Sequence, residues 1–297
     1  MRWIRTIILP IFFYCLPSFI ITFFILLIPF INTLYRSFLK IKIGSTEILG
    51  IVGFKNYLSI INDSVFQVSF INSLIIGFGG ALPAVLLALI VASICNQQFR
   101  GNRIILSLIV AAWAIPPIVG GRVWKILFLP NGLISTIGSY LGLCQRDYSI
   151  LGDPNFALVS VIIASIWKFS PIATLILLGG MRTISPELYE AAKIDGASFY
   201  NTFLHITLPL ILRYFNIAIL LVSMYMAATV DLVYALTGGG PGYATEILAS
   251  YTYKIYFLQQ DFGKGGATSM ILILWSLVSM GLLLYFIYKQ TFGRESS

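Results

Sequence analysis

The chain has 297 residues, of which 58% are hydrophobic and only 10% charged, and this composition excludes a soluble globular domain, in which about a quarter of the residues are charged. Its mean hydropathy of +0.92 indicates an all-α polytopic membrane protein. The net charge of +8 comes from bases that are dispersed between apolar runs, so it does not indicate a nucleic-acid surface.

Six apolar runs are long enough for the roughly 20 residues that a helix needs to cross a bilayer. The first follows Arg2 and Arg5 and is too long for a signal-peptide core, so we expect it to remain as a span. An even number of spans puts both termini on the same side of the membrane, and we expect a single transmembrane domain over 1–297. The predicted spans are approximately 7–31, 71–95, 104–124, 156–180, 210–236 and 265–288.

Glycine and proline mark distortions in these spans. The segment 77–83 contains three glycines and a proline, which predicts a kinked second span with close neighbours. Pro116 and Pro117 are expected to distort the outer end of the third span. The polar segment 36–69 is expected to be an outside loop with a short amphipathic helix around residues 54–57.

Lys168 is the clear ionisable residue well inside a predicted span. An intramembrane charge costs several kcal/mol and usually faces a polar cavity or a partner group. One interpretation places Lys168 at a polar path or at a contact with another subunit. The alternative is a structural pair, with Asp231 or with a residue of a neighbouring subunit. Asn216, Ser223 and Tyr225 in the fifth span are further candidates for a polar path.

The segment 181–209 is polar enough to lie at the membrane surface between the fourth and fifth spans. Ser185 is placed to cap a helix that begins at Pro186, and Gly196 is a natural stop because a residue just past a helix end often needs a positive φ. Ser198 is placed to cap a second helix, and Pro209 lacks the amide that would continue it. We therefore predict two short helices hinged at Gly196.

The sequence of this segment resembles the EAA loop of ABC importer permeases, the coupling helix that docks on a cytoplasmic ATPase subunit. The matching positions are Glu190-Ala191-Ala192, Gly196, Ile206 and Leu208-Pro209. The small alanines are expected on an exposed shoulder that lets another protein approach closely. The coupling residues that the resemblance implies are Glu190, Ala191, Ala192, Asp195, Gly196, Ile206, Leu208 and Pro209.

Three segments resemble the sugar-type permeases of the maltose and glycerol-3-phosphate transporter group: Val52–Tyr57, Pro186–Ala197 and Leu236–Thr245. The likeness is to the compact six-span subunits of the group, with the type I permease fold. It implies a translocation path for a carbohydrate or polyol phosphate, with Lys168, Asn216, Ser223, Tyr225 and Asp231 as candidates. It also implies an outside loop near a binding protein, formed by Gly238, Gly239, Gly240 and Pro241.

The partners that the resemblance implies are a second homologous permease, two ATPases, an extracytoplasmic substrate-binding protein, a sugar substrate and membrane lipid, without nucleic acid. ATP and Mg²⁺ would bind the ATPases, because this chain has no GxxxxGK[ST] loop, and we expect it to be non-catalytic with no cofactor or metal of its own. With the termini and the segment 181–209 inside, nine bases fall on each side, but the inside segments are shorter, which favours cytoplasmic termini in the cell membrane.

Three alternatives remain open from the sequence. The first is an ABC importer for a different solute, such as an amino acid, phosphate or metal. The second is a secondary transporter, although the chain shows no internal repeat with paired broken helices. The third is a membrane enzyme, which the absence of a nucleophile–base pair or a metal-ligand set disfavours, since His205 is the single histidine.

Overall fold

The computed structural model describes residues 9–97, 99–142 and 148–292. These residues are mostly helical and form two compact units, one within 9–63 and 252–274 and the other within 64–251 and 275–292. The prediction of a single transmembrane domain stays a prediction. The predicted all-α membrane fold is confirmed, because five helices are long and apolar enough to cross a membrane and a bent helix pair raises the number to six.

We number the spans in chain order. Their bounds are span 1, Tyr14–Ser37; span 2, Ser64–Asn96; span 3, the bent pair Asn102–Ala114 and Pro117–Tyr140; span 4, Pro154–Met181; span 5, Phe199–Ala227; and span 6, Phe262–Leu282. The helices at the two ends of the chain extend further than the spans do, since the first begins at Leu9 and the last ends at Phe292.

The first unit joins span 1 to a small hairpin and a short helix. Strands Leu39–Ile41 and Ile48–Ile51 pair antiparallel, and the helix Lys55–Ile61 follows. The side-chain amide of Asn56 donates to the backbone oxygens of Ser37 and Leu39, both at 2.9 Å, and so ties this helix to the hairpin. The predicted short helix is confirmed, whereas the two strands, only three and four residues long, were not predicted.

In the second unit, span 2 packs against span 4, and span 5 packs against both. The contact faces consist of small side chains that are fully buried, which lets the helix backbones approach closely. Buried residues of this kind are Ala81, Ala84, Ala88, Ala157, Ala164, Ala173 and Ala218. The predicted close neighbours of the second span are found: a Cβ on Gly77 would lie 3.0 Å from the Cβ of Ala227, and one on Gly80 would overlap Met226.

Span 4 begins at a well-formed cap. One carboxylate oxygen of Asp153 accepts hydrogen bonds from the backbone amides of Asn155 and Phe156, and the other accepts one from the Tyr148 hydroxyl at 3.0 Å. The amide of Phe156, followed by the Tyr148 hydroxyl, holds the pKa of Asp153 below its usual value. The helix then runs without interruption through Pro171 to Met181.

The predicted bounds of the third span, 104–124, are wrong, but the distortion expected at Pro116 and Pro117 is found. The helix Asn102–Ala114 ends, and the helices Pro117–Phe128 and Leu133–Tyr140 follow after a bend of 99°. Ile115 and Pro116 have extended backbone with ψ of 127° and 138°. A residue that precedes proline avoids the helical region, and two consecutive prolines remove two successive amides from the helix.

The predicted fifth span over 210–236 is also wrong at both ends. It stops at Ala227, and after a break at Ala228 and Thr229 a separate helix, Val230–Leu236, begins. This helix packs on Pro117–Phe128, where a Cβ on Gly121 would lie 2.8 Å from the backbone oxygen of Leu232. The two helices therefore pack closely next to the break. The local sequence does not indicate this contact.

The second short helix that we predicted to end at Pro209 is instead the beginning of span 5. The helix starts at Phe199, widens into a π-helical turn over Phe203–Thr207 and continues as Leu208–Ala227. Pro209 lies in the first turn of that last segment. The π turn directly before it changes the hydrogen-bond register, so that the missing proline amide does not end the helix.

Candidate functional site

Both helix breaks open onto one cavity, which we call the break cavity. It has a volume of about 540 Å³. Its wall combines the residues of the two breaks with side chains of spans 4 and 5. The lining residues are Trp113, Ala114, Ile115, Pro116, Pro117, Lys168, Phe169, Tyr225, Ala228, Thr229, Val230 and Asp231.

Lys168 occupies the place of the amides that the two prolines lack. In a continuous helix the amides of residues 116 and 117 would donate to the carbonyls of Ala112 and Trp113. The Lys168 ammonium donates instead to Trp113 O at 2.6 Å, to Ala112 O at 3.5 Å and to Ile115 O. Its side chain is only 3% exposed. A charge buried in this way is stabilised by the carbonyl dipoles around it.

The proposed structural pair between Lys168 and Asp231 is wrong. The ion pair found within the described ranges is Lys42–Glu47, far along the chain from both residues. Asp231 lies at the start of the helix Val230–Leu236, where its side chain is exposed and lines the cavity. It makes no hydrogen bond or ion pair with another residue that the structure describes.

An aromatic pair forms another part of the cavity wall. The rings of Phe169 and Tyr225 are stacked, with centroids 5.7 Å apart and planes inclined by 8°. Phe169 is buried, whereas 47% of Tyr225 is exposed. Tyr225 therefore presents an aromatic surface with a hydroxyl at its edge, and the carboxylate of Asp231 lines the same cavity.

Three of the five predicted path residues lie together and the other two lie elsewhere. Lys168, Tyr225 and Asp231 meet at the break cavity. Asn216 lines a different cavity of about 470 Å³ beside the start of the segment 181–209, which we call the coupling segment for its resemblance to the EAA loop. Ser223 lines neither cavity, because it is buried and its hydroxyl donates to Leu220 O at 2.9 Å.

Sequence reasoning missed Trp113 and Phe169 as cavity residues. Aromatic residues are so frequent in this chain that composition could not single them out. A usable signal was the Pro116-Pro117 pair inside an apolar run, since it leaves carbonyls without amide partners and so calls for a donor from elsewhere. Lys168 is a residue able to supply that donor.

The coupling segment contains a helix over Pro186–Ile194 that ends in a Schellman motif. The amide of Ala197 donates to Ala192 O at 2.9 Å, and the amide of Gly196 donates to Lys193 O. Gly196 has φ of +72°, as predicted, and a Cβ added there would meet no atom within 4 Å. Asp195 caps the helix and is exposed.

The exposure of this helix differs from the prediction at one alanine. Glu190 and Ala191 are exposed, but Ala192 is only 7% exposed, so the expectation that both alanines form an exposed shoulder is wrong for Ala192. Ala192 shares a helix face with Tyr189, whose hydroxyl lies 3.2 Å from the buried hydroxyl of Thr207. That face is turned toward the start of span 5.

The two predicted caps of the segment differ. Ser198 accepts a hydrogen bond from the Asn201 amide at 3.2 Å, as expected. Ser185 holds the N-cap position, but its hydroxyl makes no capping hydrogen bond. Ile206 and Leu208 are half-buried within the first turns of span 5, and Pro209 is exposed beside them.

The glycine-rich loop after residue 236 is held by hydrogen bonds. The Thr245 hydroxyl donates to Gly240 O at 2.8 Å and lies 2.7 Å from the Thr237 hydroxyl. Gly238 and Gly239 have φ of +66° and +88°, values that favour glycine. Gly238 is exposed, Gly239 is buried, and Gly240 and Pro241 are half-buried.

The model of one protein family matches residues 84–293, which include the coupling segment and every residue of the break cavity. That family is described as the binding-protein-dependent transport system inner membrane component. The chain belongs to this family. Several of its helices are apolar enough to span a membrane, so this inner membrane component is a multi-pass protein.

Individual relatives agree with this assignment. This inner membrane component is 35% identical to the trehalose/maltose transport system permease protein MalF of Thermococcus litoralis over 221 residues, which cover 74% of each chain. It is 32% identical to the sn-glycerol-3-phosphate transport system permease protein UgpA of Yersinia pestis over 226 residues, which cover 75% of each chain.

A solved structure shares the fold. It is a chain of a bacterial alginate ABC transporter in complex with an alginate pentasaccharide-bound periplasmic protein. The superposition has a TM-score of 0.77 and covers 98% of both chains at 18% identity. The predicted permease fold is therefore confirmed for this inner membrane component.

Proposed function

We propose that this chain forms half of the translocation path of an ATP-driven importer for a carbohydrate or polyol phosphate. The observation that carries the proposal is the break cavity, where a stacked aromatic pair and a carboxylate lie together at two interrupted spans. Interrupted helices at membrane depth are tolerated where they line a cavity. The names of the permease relatives support a sugar or a sugar-like solute.

The remaining components follow from the family and from the exposed coupling segment. A second homologous permease would complete the path, two cytoplasmic ATPases would bind and hydrolyse ATP with Mg²⁺, and an extracytoplasmic binding protein would deliver the solute. This chain itself would be non-catalytic. Glu190, Ala191, Asp195 and Gly196 would contact an ATPase, while Gly238 and its neighbours would lie near the binding protein.

The orientation is part of the same proposal. The segment 181–209 and both termini would be cytoplasmic, as the higher base density of the shorter segments favours. The test places a single cysteine at Asp195 or at Tyr243, both exposed, and treats intact cells with a membrane-impermeant maleimide. We expect labelling at position 243 alone, whereas labelling at 195 alone would reverse the orientation.

The proposal is tested by uptake into proteoliposomes that contain the whole complex with its binding protein. We expect uptake of a radiolabelled sugar to require ATP and to fall about tenfold or more in Tyr225→Ala, because the aromatic surface is lost. Tyr225→Phe, which keeps the ring, should retain most of the uptake. Tyr140→Ala removes a tyrosine outside the cavity that is even more exposed, at 84% against 47% for Tyr225, and serves as the control.

A wild-type rate of sugar uptake in Tyr225→Ala would show that the break cavity is not part of the translocation path. Uptake that proceeds without ATP would contradict the importer assignment itself.

A further inference from the structure

We propose that the break cavity selects uncharged carbohydrates over anionic ones and that Asp231 is the residue responsible. The inference rests on the proposed function, since it concerns the solute of the same cavity. The permease relatives leave the point open, because one is named for trehalose and maltose and another for sn-glycerol-3-phosphate. The charges that line the cavity distinguish between a neutral and an anionic solute.

The positive charge at the cavity is already engaged. Of the twelve residues that line it, Lys168 is the one base. Its three ammonium protons match three backbone oxygens, those of Ala112, Trp113 and Ile115, and 97% of the side chain is covered, given its 3% exposure. An anionic solute could form a hydrogen bond to this ammonium only by displacing a carbonyl that has no amide partner, which carries its own cost.

The accessible charge at the cavity is negative. Asp231 is the one acid among the lining residues and is exposed, and it has no hydrogen-bond or ion-pair partner in the part of the chain that the structure describes. A carboxylate accepts hydrogen bonds from two or more sugar hydroxyls, and such charge-assisted bonds are about twice as strong as neutral ones. A phosphate or carboxylate on the solute would be repelled by Asp231, and apolar surroundings weaken the screening of that repulsion.

The apolar part of the wall suits the same solute. The exposed ring of Tyr225, supported by the buried ring of Phe169 stacked on it, provides a flat surface, and the Tyr225 hydroxyl adds a donor at its edge. A neutral sugar presents an apolar C–H face and a rim of hydroxyls, which match the rings and the carboxylate respectively. The three groups therefore favour a solute with hydroxyls and no negative charge.

The test uses the complete purified complex without ATP and without the binding protein, so that the selectivity of the binding protein does not contribute. The probes are a matched pair, maltose and maltose 6′-phosphate, together with glycerol and sn-glycerol 3-phosphate. Equilibrium binding is measured by saturation-transfer NMR with competition. We expect the neutral member of a pair to bind about tenfold more tightly than the phosphorylated one.

Asp231→Asn identifies the residue responsible. It keeps the size of the side chain and removes the charge, so we expect the tenfold preference to shrink to about threefold or less. Asp153→Asn removes an acid outside the cavity, retains a capping side chain and should leave the preference unchanged.

The outcomes separate this inference from the proposed function. Equal or tighter binding of the phosphorylated probes, or an unchanged preference in Asp231→Asn, would overturn the inference and leave a carbohydrate permease in place. Absence of binding of every carbohydrate probe, in a complex that still hydrolyses ATP, would contradict the proposed function and the inference with it.

Discussion

The ammonium nitrogen of Lys168 lies 2.6 Å from the backbone oxygen of Trp113, although the two residues are 55 positions apart. The Pro117 nitrogen would be the partner of that oxygen in an uninterrupted helix, but proline has no hydrogen to donate. Span 4 thus supplies from a side chain what span 3 lacks in its backbone. The bend of span 3 and the burial of a lysine are two aspects of one arrangement.

Replacement of Lys168 by methionine should destabilise the protein by about 3 kcal/mol, because it leaves buried carbonyls without a donor while preserving the volume of the side chain. We expect the thermal transition of the purified complex to fall by several degrees and uptake to decrease in parallel. Lys40→Met removes an exposed lysine and is the matched control. A Lys168→Met complex as stable as the wild type would show that water satisfies the carbonyls.

At Gly196, substitutions should rank by their tolerance of positive φ and not by their size. The surroundings are open, so a side chain meets no clash, but φ of +72° costs a β-branched residue about 1–2 kcal/mol. We expect Gly196→Val to lower ATP-dependent uptake severalfold and Gly196→Asn to lower it much less, since asparagine tolerates this conformation. Membrane insertion should be normal in both. Equal uptake in the two variants would show that the conformation of the Gly196 turn does not contribute to coupling.

The packing of Gly121 on the helix Val230–Leu236 predicts a large effect from a single methyl group. In Gly121→Ala the new Cβ would lie 2.8 Å from both Leu232 O and the Cβ of Ala235, so the helices must separate, at a cost of about 1–3 kcal/mol. Gly179→Ala, in the last turn of span 4, meets no atom within 4 Å and should be neutral or stabilising by up to about 1 kcal/mol. Denaturation of the purified complex compares the two.

The cap of span 4 should loosen only in acid. The pKa of Asp153 is lowered from its usual 3.8 by the Phe156 amide and the Tyr148 hydroxyl, so the folded state favours the carboxylate. Its contribution to stability is complete above pH 3.8 and is lost as the pH falls through the lower folded value. We expect hydrogen exchange at Asn155 and Phe156, corrected for the intrinsic rate, to rise in that range and to be constant between pH 5 and 7.

Asp153→Asn should lack this acid response, because its side chain does not titrate. Tyr148→Phe removes the second largest of the three hydrogen bonds that lower the pKa of Asp153 and should move the response to higher pH. A response that begins near pH 6 would point to a different titrating group.

The regular spans were predictable because their signals are local. Span 4 was expected over 156–180 and is found over Pro154–Met181, since a long apolar run with a capping Asp153 leaves little choice. The helix break after Ala227 was not predicted, because hydropathy measures apolar length and does not indicate the direction of a helix. In span 3 the prolines predict a distortion, but the local sequence does not give the bend of 99°, and Lys168, which donates to the freed carbonyls, is remote along the chain.

The site was predictable in its charged members and in Tyr225, but not in Trp113 and Phe169. Lys168 and Asp231 stand out because charges are rare in apolar runs, whereas Phe169 becomes notable only when its ring is seen stacked on Tyr225. The predicted exposure of Ala192 was wrong for a related reason. The motif specifies the residue type, but the alanine is buried on the helix face that contacts span 5, where Tyr189 meets Thr207.

The continuity of span 5 has a mechanical consequence. Phe199, just beyond the Gly196 turn, and Tyr225, at the break cavity, belong to one helix of 29 residues. At a rise of 1.5 Å per residue they are about 39 Å apart. A tilt of about 5° would therefore displace one end by about 3 Å relative to the other. A displacement of the coupling segment would therefore be transmitted to the aromatic wall by rigid-body rotation of the helix, without a series of side-chain contacts.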